Sequence, residues 1–304
     1  MQAIQLKEFG DENQFVAVEV AQPAITSKQV LVKQEATAID PYDVKFAQGL
    51  MGAADLPLIE GSSVAGIVVE VGAEVTNFKV GDRVAASPHL KSYAEYVPVG
   101  RKSSGLIPAN VSFTQAAATV LSGQTAYQAI EDHLQPQAGE SILIHAGMGS
   151  VGNMAIQLAL LRGAKVYTTA SSKNADKLTV LGDVTVIDYH TSDFTTVVHD
   201  VDYVLDTLGA QTMNDSLKVL KRGGKLVSLV GEPDAALAET LGVEAEHIHM
   251  QGSGESLAEL FDLLGSGKVH VNIEREVPFN VANLEEGHRL SATGHLDGKY
   301  VLTF

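Results

Sequence analysis

The sequence predicts an α/β protein in which a doubly wound parallel sheet is joined to a β-rich domain. Two observations carry that reading. From Ser141 to Thr169 a strand, a glycine turn, a helix and a second strand follow one another without interruption. Up to about residue 112 the chain instead shows short strands punctuated by Gly and Pro, the pattern of a small barrel or sandwich.

The glycine turn organises the first of these regions. Ile142, Leu143 and Ile144 form a short apolar run, as a strand buried on both faces requires. Gly147, Gly149 and Gly152 then give G-x-G-x-x-G, with Met148, Ser150 and Val151 between them. Met154, Ile156, Leu158, Ala159 and Leu161 supply an apolar helical face, and Gly163 ends the helix. In this setting the spacing reads as a dinucleotide-binding, Rossmann-type turn. The first glycine permits a tight turn, the second admits a pyrophosphate to the backbone, and the third lets helix and strand pack. The helix N-terminus turns free N–H groups and partial positive charge toward the phosphates.

The remaining elements follow in order. Gln2–Leu6 and Phe15–Val20 resemble strands separated by Gly10-Asp11-Glu12-Asn13. Val30–Gln34 alternates, and Asp40-Pro41-Tyr42-Asp43 turns into a short helix ending near Gly49. Val64–Val71, the segment after Val80-Gly81-Asp82, and Tyr93–Val97 read as further strands. Ser112 or Thr114 caps an alanine-rich helix, and Thr125–Ile130 reads as a following one. Beyond Gly163 strands are expected at Lys165–Thr169, Val184–Ile187, Tyr203–Asp206, Leu226–Val230 and His247–Gln251. Asn174–Leu181 and Thr212–Leu220 are helices between them, an alternation that predicts a parallel sheet. Helices at Ser256–Leu264 and Leu284–Leu290 and a closing strand at Lys299–Phe304 complete the chain. The expected domains are 1–112 with 253–304, and 113–252.

Composition narrows the function. The 304 residues are 45% hydrophobic and 19% charged, with a formal charge of -16. That balance argues against nucleic acid or an anionic membrane as a main partner. The absence of cysteine excludes disulfides and Cys-ligated zinc, and fits a reducing compartment. No apolar stretch reaches the ~18 residues needed to span a bilayer, and Met1–Gly10 has no signal-type apolar region. A cytoplasmic location is the expectation.

Together the pieces resemble the medium-chain dehydrogenase/reductase superfamily, in its zinc-independent quinone oxidoreductase branch. The resemblance rests on Asp40-Pro41-Tyr42-Asp43-Val44-Lys45, Gly61-Ser62-Ser63-Val64-Ala65-Gly66 and Phe78-Lys79-Val80-Gly81-Asp82-Arg83-Val84. It continues through Tyr93-Ala94-Glu95-Tyr96, Thr125-Ala126-Tyr127, Asp206-Thr207-Leu208-Gly209, Gly223-Gly224-Lys225-Leu226-Val227 and Gly298-Lys299-Tyr300-Val301. It implies a GroES-like catalytic domain beside the Rossmann domain, and commonly a homodimer formed through the sheet edge, here the strand at His247–Gln251. The zinc enzymes of the superfamily carry Gly-His-Glu where this chain has Gly61-Ser62-Ser63, so no catalytic zinc is expected. Asp40 stands where the quinone reductases have Asn, and an ionised Asp accepts but cannot donate.

The resemblance also assigns site residues. Lys45 matches a residue near the nicotinamide, against the alternative of a solvated helix lysine. Tyr42 lies one helical turn from Lys45 and either faces the substrate or packs. Thr125 resembles the threonine whose helix approaches the nicotinamide. Leu208, Val230 and Gly231 line the cofactor channel, and Tyr189 matches a position on the adenosine side. At the end of the second strand of the glycine-turn unit stand Ser171, Ser172 and Lys173, with no carboxylate before Asp176. Hydroxyls and a lysine there favour a 2′-phosphate, hence NADPH over NADH. His247 and His249 alternate on their strand, with no third metal ligand in view.

The expected activity is NADPH-dependent reduction of quinones or α,β-unsaturated carbonyls by hydride transfer. Lys45, Tyr42 or backbone N–H groups are candidates to stabilise the developing oxyanion. An enoyl-thioester reductase ranks lower, because no basic cluster marks a carrier-arm surface. A nucleotide-binding protein without turnover is the reading outside enzymes.

Overall fold

The computed structural model describes residues 1–10, 15–52, 54–294 and 296–304. Of the turn expected at Gly10–Asn13, Asp11 to Asn13 lie outside them. The chain divides into two units, Met1–Gln124 with Gly252–Phe304, and Thr125–Gln251.

The first unit opens with β1 (Gln2–Leu6), β2 (Phe15–Glu19), β3 (Gln29–Ile39), α1 (Pro41–Ala47) and β4 (Leu58–Ile59). It continues with β5 (Val64–Val71), β6 (Arg83–Ala86), β7 (Tyr96–Gly100), β8 (Ser104–Leu106) and α2 (Phe113–Tyr127). The second unit holds a π-helical segment (Gln128–Leu134), β9 (Ser141–Ile144), α3 (Ser150–Leu161), β10 (Lys165–Ala170), α4 (Ala175–Thr179) and β11 (Val184–Asp188). It goes on through β12 (Val201–Asp206), α5 (Ala210–Val219), β13 (Leu220–Ser228), α6 (Ala235–Leu241) and β14 (Glu244–His247). The chain then returns to the first unit with α7 (Gly254–Gly265), β15 (Ile273–Pro278), α8 (Val281–Ala292) and β16 (Lys299–Thr303).

In the first unit β3 is the hub. Val30, Leu31, Val32, Ala36 and Ala38 are fully buried along it, and it pairs antiparallel with β5, β7 and β16. The sheet runs β15-β16-β3-β5-β6-β8, and β2-β1-β4 forms a smaller one. α8 crosses closely enough that a Cβ on Gly287 would lie 2.2 Å from Ile39 Cδ1. The second unit is a parallel sheet in the order β11-β10-β9-β12-β13-β14. Chain order reverses between β9 and β12, the switch point at which such sheets bind ligands.

Two local differences from the sequence reading, and one alternative that it left open, have physical causes. α2 begins a new compositional pattern at residue 113, yet its Ala116, Ala117, Ala118 and Val120 pack with Ala36, Ala65, Leu257 and Phe261. Small side chains let this helix lie on the β-rich unit, which therefore reaches Gln124. Ser112 rather than Thr114 caps it, accepting from Gln115 N–H at 3.0 Å while Gln115 Oε1 accepts from Ser112 N–H. The last strand of the parallel sheet is Glu244–His247, not His247–Gln251. It is a short, charged edge strand, which carries no apolar alternation to read.

Both crossings between the units are tied by glutamines. Gln124 Oε1 accepts from Ser253 N–H (2.8 Å) and Ser256 Oγ–H (3.1 Å), both within the first unit. Gln128 exchanges bonds with Gln251 within the second, donating to its carbonyl at 2.6 Å and accepting from its N–H at 3.0 Å.

The register of β16 on β3 decides one further contact. Tyr300 faces Ile39, which sets Lys299 opposite Asp40. Lys299 Nζ donates to Asp40 Oδ1, with side chains only 2% and 1% exposed. Ser63 Oγ–H donates to Asp40 Oδ2 at 2.8 Å. Removing one member of such a pair strands a buried charge, at a cost of about 3–5 kcal/mol. Lys299→Met should lose that much stability in denaturant unfolding, and Asp40→Asn with Lys299→Met should recover most of it. A loss below about 1 kcal/mol, the range of a surface pair, would show that the contact does not hold β16.

Candidate active site

The carboxyl ends of the strands form the edge at which parallel sheets of this topology bind ligands. After β9 the chain turns through His145 and Ala146, the latter at φ +52, before Gly147. The positive φ therefore falls on Ala146, not on a glycine. Gly147 is required by packing: a Cβ there would lie 2.3 Å from Thr168 Oγ1 on β10. Gly152 is required in the same way, 2.4 Å from the Ala146 carbonyl. At Gly149 the nearest atom to a Cβ is the Ala146 carbonyl at 3.2 Å. Gly149 is the N-cap of α3 and brings no side chain to it. Asn153 N–H is the first taken up by the helix, on the Gly149 carbonyl at 2.8 Å. The amides of Ser150, Val151 and Gly152 thus lack intrahelical acceptors and suit an anion. Met148 is buried in the turn.

His145 braces this turn. It is fully buried, with Nδ1 3.1 Å from Thr169 Oγ1 and Nε2 2.8 Å from Ser216 Oγ. Thr169 Oγ1 also accepts from Ala146 N–H at 3.2 Å. One imidazole therefore ties β9 to β10 and α5. Sequence reasoning passed over it as part of a strand end.

The other expected cofactor residues occupy neighbouring strand ends. Ser171 caps the short turn after β10, and Ser172 and Lys173 are exposed. Tyr189 follows β11, is 55% exposed and rests against the His190 ring at 4.2 Å between centroids. Leu208 follows β12, where Asp206 accepts from the N–H groups of Leu208 and Gly209. Val230 is part-exposed after β13, and a Cβ on Gly231 would meet nothing within 4 Å. Thr125 is half-buried near the end of α2. One neighbour was missed. β10 pairs with β11 so that Ala170 faces Asp188. Asp188 is held below the ordinary carboxylate range first by His190 N–H and also by bonds from Ser172. A carboxylate absent from the sequence after β10 is supplied by the adjacent strand, a signal that only strand pairing reveals.

The first unit gathers the other expected residues on and behind α1. Asp40 does not reach outward, since Lys299 and Ser63 take up its carboxylate. Tyr42 and Lys45 lie three positions apart on α1; Tyr42 is half-buried and Lys45 exposed. Tyr42 both packs and bonds: its ring lies 6.3 Å from that of Phe46, and its hydroxyl is 3.1 Å from His89 Nδ1. Asp43 Oδ2 accepts from Asp40 N–H at 2.9 Å. Among the described residues Asp43 Oδ1, both Glu60 carboxyl oxygens and Ser62 Oγ are buried without a hydrogen-bond partner. Glu60 and this carboxyl pair were not foreseen.

Comparison with known proteins gives the frame for these residues. The chain is 35% identical over 296 residues to 2-methylene-furan-3-one reductase of Solanum lycopersicum, covering 93% of this chain and 74% of the relative. The chain belongs to the medium-chain dehydrogenase/reductase superfamily. It is quinone oxidoreductase-like within it. The model of the alcohol dehydrogenase GroES-like domain matches residues 26–134, and that of the zinc-binding dehydrogenase family matches 181–302. A quinone oxidoreductase structure from Coxiella burnetii superimposes with a TM-score of 0.93 at 32% identity, covering 100% of this chain and 99% of that one. The Escherichia coli quinone oxidoreductase complexed with NADPH gives 0.90 at 27%, with both chains covered to 100%.

One matched family is described as zinc-binding, and the residues present here do not fit a zinc. Cysteine is absent from the chain. Ser62 and Ser63 offer neutral hydroxyls, and Asp40 is already paired with an ammonium group. Among the described residues no group of three or more His, Cys, Asp or Glu is arranged to hold a metal. His247 and His249 stack at 4.4 Å, and His247 Nδ1 lies 3.2 Å from Glu232, but they gather no further ligand of that kind.

Burial sets the protonation of this superfamily member's inner groups. Glu60 is pushed up to about 10 by desolvation and then by the charge of Asp43. Asp43 is pushed up to about 7 by desolvation and then by Asp40. Desolvation pushes His145 down to about 4 and His288 to about 3. The signs differ. Unfolding frees Glu60 to ionise near 4.5, so the folded state holds the extra proton between about 4.5 and 10 and loses stability as pH rises. The histidines titrate near 6.5 when unfolded, so stability falls as pH drops below that value. The melting temperature should therefore decline from about pH 7 to about pH 9, and Glu60→Gln should flatten that limb. A wild-type melting temperature rising over this interval would contradict the assignment.

Proposed function

We propose that this protein uses NADPH to reduce α,β-unsaturated carbonyls or quinones, without zinc. The observation that carries the proposal is the carboxyl edge of the parallel sheet. There an uncapped α3 N-terminus, a glycine turn with no side chain at Gly149 and the Ser171-Ser172-Lys173 segment stand on neighbouring strands. The names of the relatives support the substrate class: the tomato enzyme reduces a methylene-furanone, a conjugated ketone, and the E. coli structure is a quinone oxidoreductase complexed with NADPH.

In this reading the amides of Ser150, Val151 and Gly152 hold the pyrophosphate, and Gly149 gives it room. Ser171, Ser172 and Lys173 hold the 2′-phosphate, with Tyr189 on the adenosine side. Thr125, Leu208, Val230 and Gly231 position the nicotinamide portion. When bound, the cofactor supplies a hydride from C4 of its nicotinamide. Lys45, exposed on α1 beside Tyr42, places a positive charge for the oxyanion that hydride addition creates. Asp40 acts on neither substrate nor cofactor; its carboxylate positions α1 through Lys299. The free edge of β14 supports a homodimer, and light scattering showing a monomer at micromolar concentration would count against it.

The test is NADPH oxidation with a panel of enones and quinones, with and without chelator. Turnover insensitive to chelator is expected. No turnover with any member, or activity lost with a bound metal, would overturn the reading. Cofactor choice gives a sharper measurement. Lys173 is the cation that follows Ser172 in the segment assigned to the 2′-phosphate. Lys173→Ala should raise the NADPH KM roughly tenfold, the size of one charge-assisted contact. It should leave kcat nearly intact and the NADH KM nearly unchanged. Equal effects on both cofactors would place the phosphate pocket elsewhere.

A further inference from the structure

We propose that His89 and Tyr42 form a relay that carries a solvent proton to the reduced substrate, an inference that rests on the reductase reading above. Hydride addition to an enone leaves a carbanion, delocalised as an enolate, which needs a proton to become product. Among the described residues no group of three or more His, Cys, Asp or Glu is arranged to hold a metal that could stabilise it, so the identity of the acid matters.

The geometry selects this pair. Tyr42 Oη lies 3.1 Å from His89 Nδ1 and 3.4 Å from Nε2, and the two rings are 5.5 Å apart at 48°. His89 is held there at φ +70, and Lys91 follows at φ +82. Two non-glycine residues in the left-handed region within one loop are strained, and such strain persists only where neighbours enforce it. They do so here. Beyond the loop Ser92 and Tyr93 are fully buried, and their N–H groups donate to the carbonyls of Gly61 (3.1 Å) and Glu60 (2.9 Å). On the near side the chain leaves β6 at the buried Ala86.

The other acids of this unit are placed differently. Asp43 and Glu60 are sealed from water, and Lys299 is spent on Asp40. Tyr42 spans the two environments. Its phenol is raised above its ordinary value by burial and then by the charges of Asp43 and Glu60. It therefore keeps its proton until a strong base forms beside it, and the tyrosinate left behind must be reprotonated at once. His89 is exposed and does this. The Tyr42 O–H bond breaks as the new bond to the substrate carbanion forms. The His89 Nδ1–H bond breaks as the phenol is restored. The other ring nitrogen takes a proton from water, and the ring returns to its first tautomer by exchange with solvent. The sum is one hydride from NADPH and one proton from water. His89 acts through Tyr42 and is a positioning and relay residue.

Two measurements test this. In histidine-¹⁵N-labelled protein without cofactor, the His89 Nδ1 signal should shift when Tyr42→Phe removes the hydroxyl. In turnover, His89→Gly suits the positive φ and leaves a space for free imidazole. It should lower kcat with an enone on the order of 100-fold, the usual size of a general-acid contribution. NADPH affinity, read by nucleotide fluorescence, should stay at the wild-type value and certify the fold. Added imidazole should restore much of the rate in His89→Gly and none in the double variant with Tyr42→Phe. His89→Asn, which tolerates the same backbone, should lose as much and not be rescued. Wild-type kcat in His89→Gly, failure of imidazole to restore it, or equal rescue in the double variant would overturn the relay alone. A wild-type protein inert toward both enones and quinones would overturn the reductase reading, and the relay with it.

Discussion

The antiparallel register between β16 and β3 is the constraint on which the first unit depends. It joins residues 259 positions apart in sequence through the Lys299–Asp40 contact. Closing so long a loop costs entropy that only extensive burial offsets. Tyr300, Val301 and Leu302 are fully buried along β16, against the buried half of β3. A buried ion pair adds little net stability but penalises every other register, because a shift of one residue strands an ammonium and a carboxylate in an apolar interior.

That pair also decides what α1 can present. With Asp40 turned inward, the helix begins on a fixed anchor, and Asp43 reaches back to its first amide. The opposite side of α1 is left to Tyr42 and Lys45. Asp40, Ser63 and Lys299 thus form a covered electrostatic foundation at the start of α1. On its outer side α1 carries a phenol with an imidazole partner. In the second unit His145 plays the comparable part. It is a neutral buried ring that ties the glycine turn to β10 and α5.

Much of this was legible in the sequence, for reasons that particular residues show. The βαβ unit around Gly147, Gly149 and Gly152 could be read because local periodicity and local turn chemistry coincide there. The parallel character of the sheet in the second unit followed from the alternation of strands with helices. What escaped shares one property: it depends on pairing between distant segments. β14 has the composition of a loop and becomes a strand because β13 offers it an edge. Asp188 enters the neighbourhood of Ser172 only through the alignment of β10 with β11. The inward turn of Asp40 follows from Lys299, and the Tyr42–His89 contact joins residues 47 apart. The division at Gln124 was hidden because an alanine-rich helix looks like the start of a new domain whichever sheet it lies on.

The placement of β16 has a consequence for how the protein comes into being. On the ribosome β3 emerges early, and its partner emerges only after the whole of Thr125–Gln251 has been made. The parallel-sheet unit is one continuous stretch and can fold as soon as it leaves the tunnel. The β-rich unit meanwhile waits with only Ala36–Ile39 of its central strand lacking the β16 partner, since β7 already pairs with Gln29–Lys33. During synthesis the nascent chain therefore carries a mature nucleotide-binding fold beside an open strand edge. That edge is the surface a chaperone or a neighbouring nascent chain would meet first.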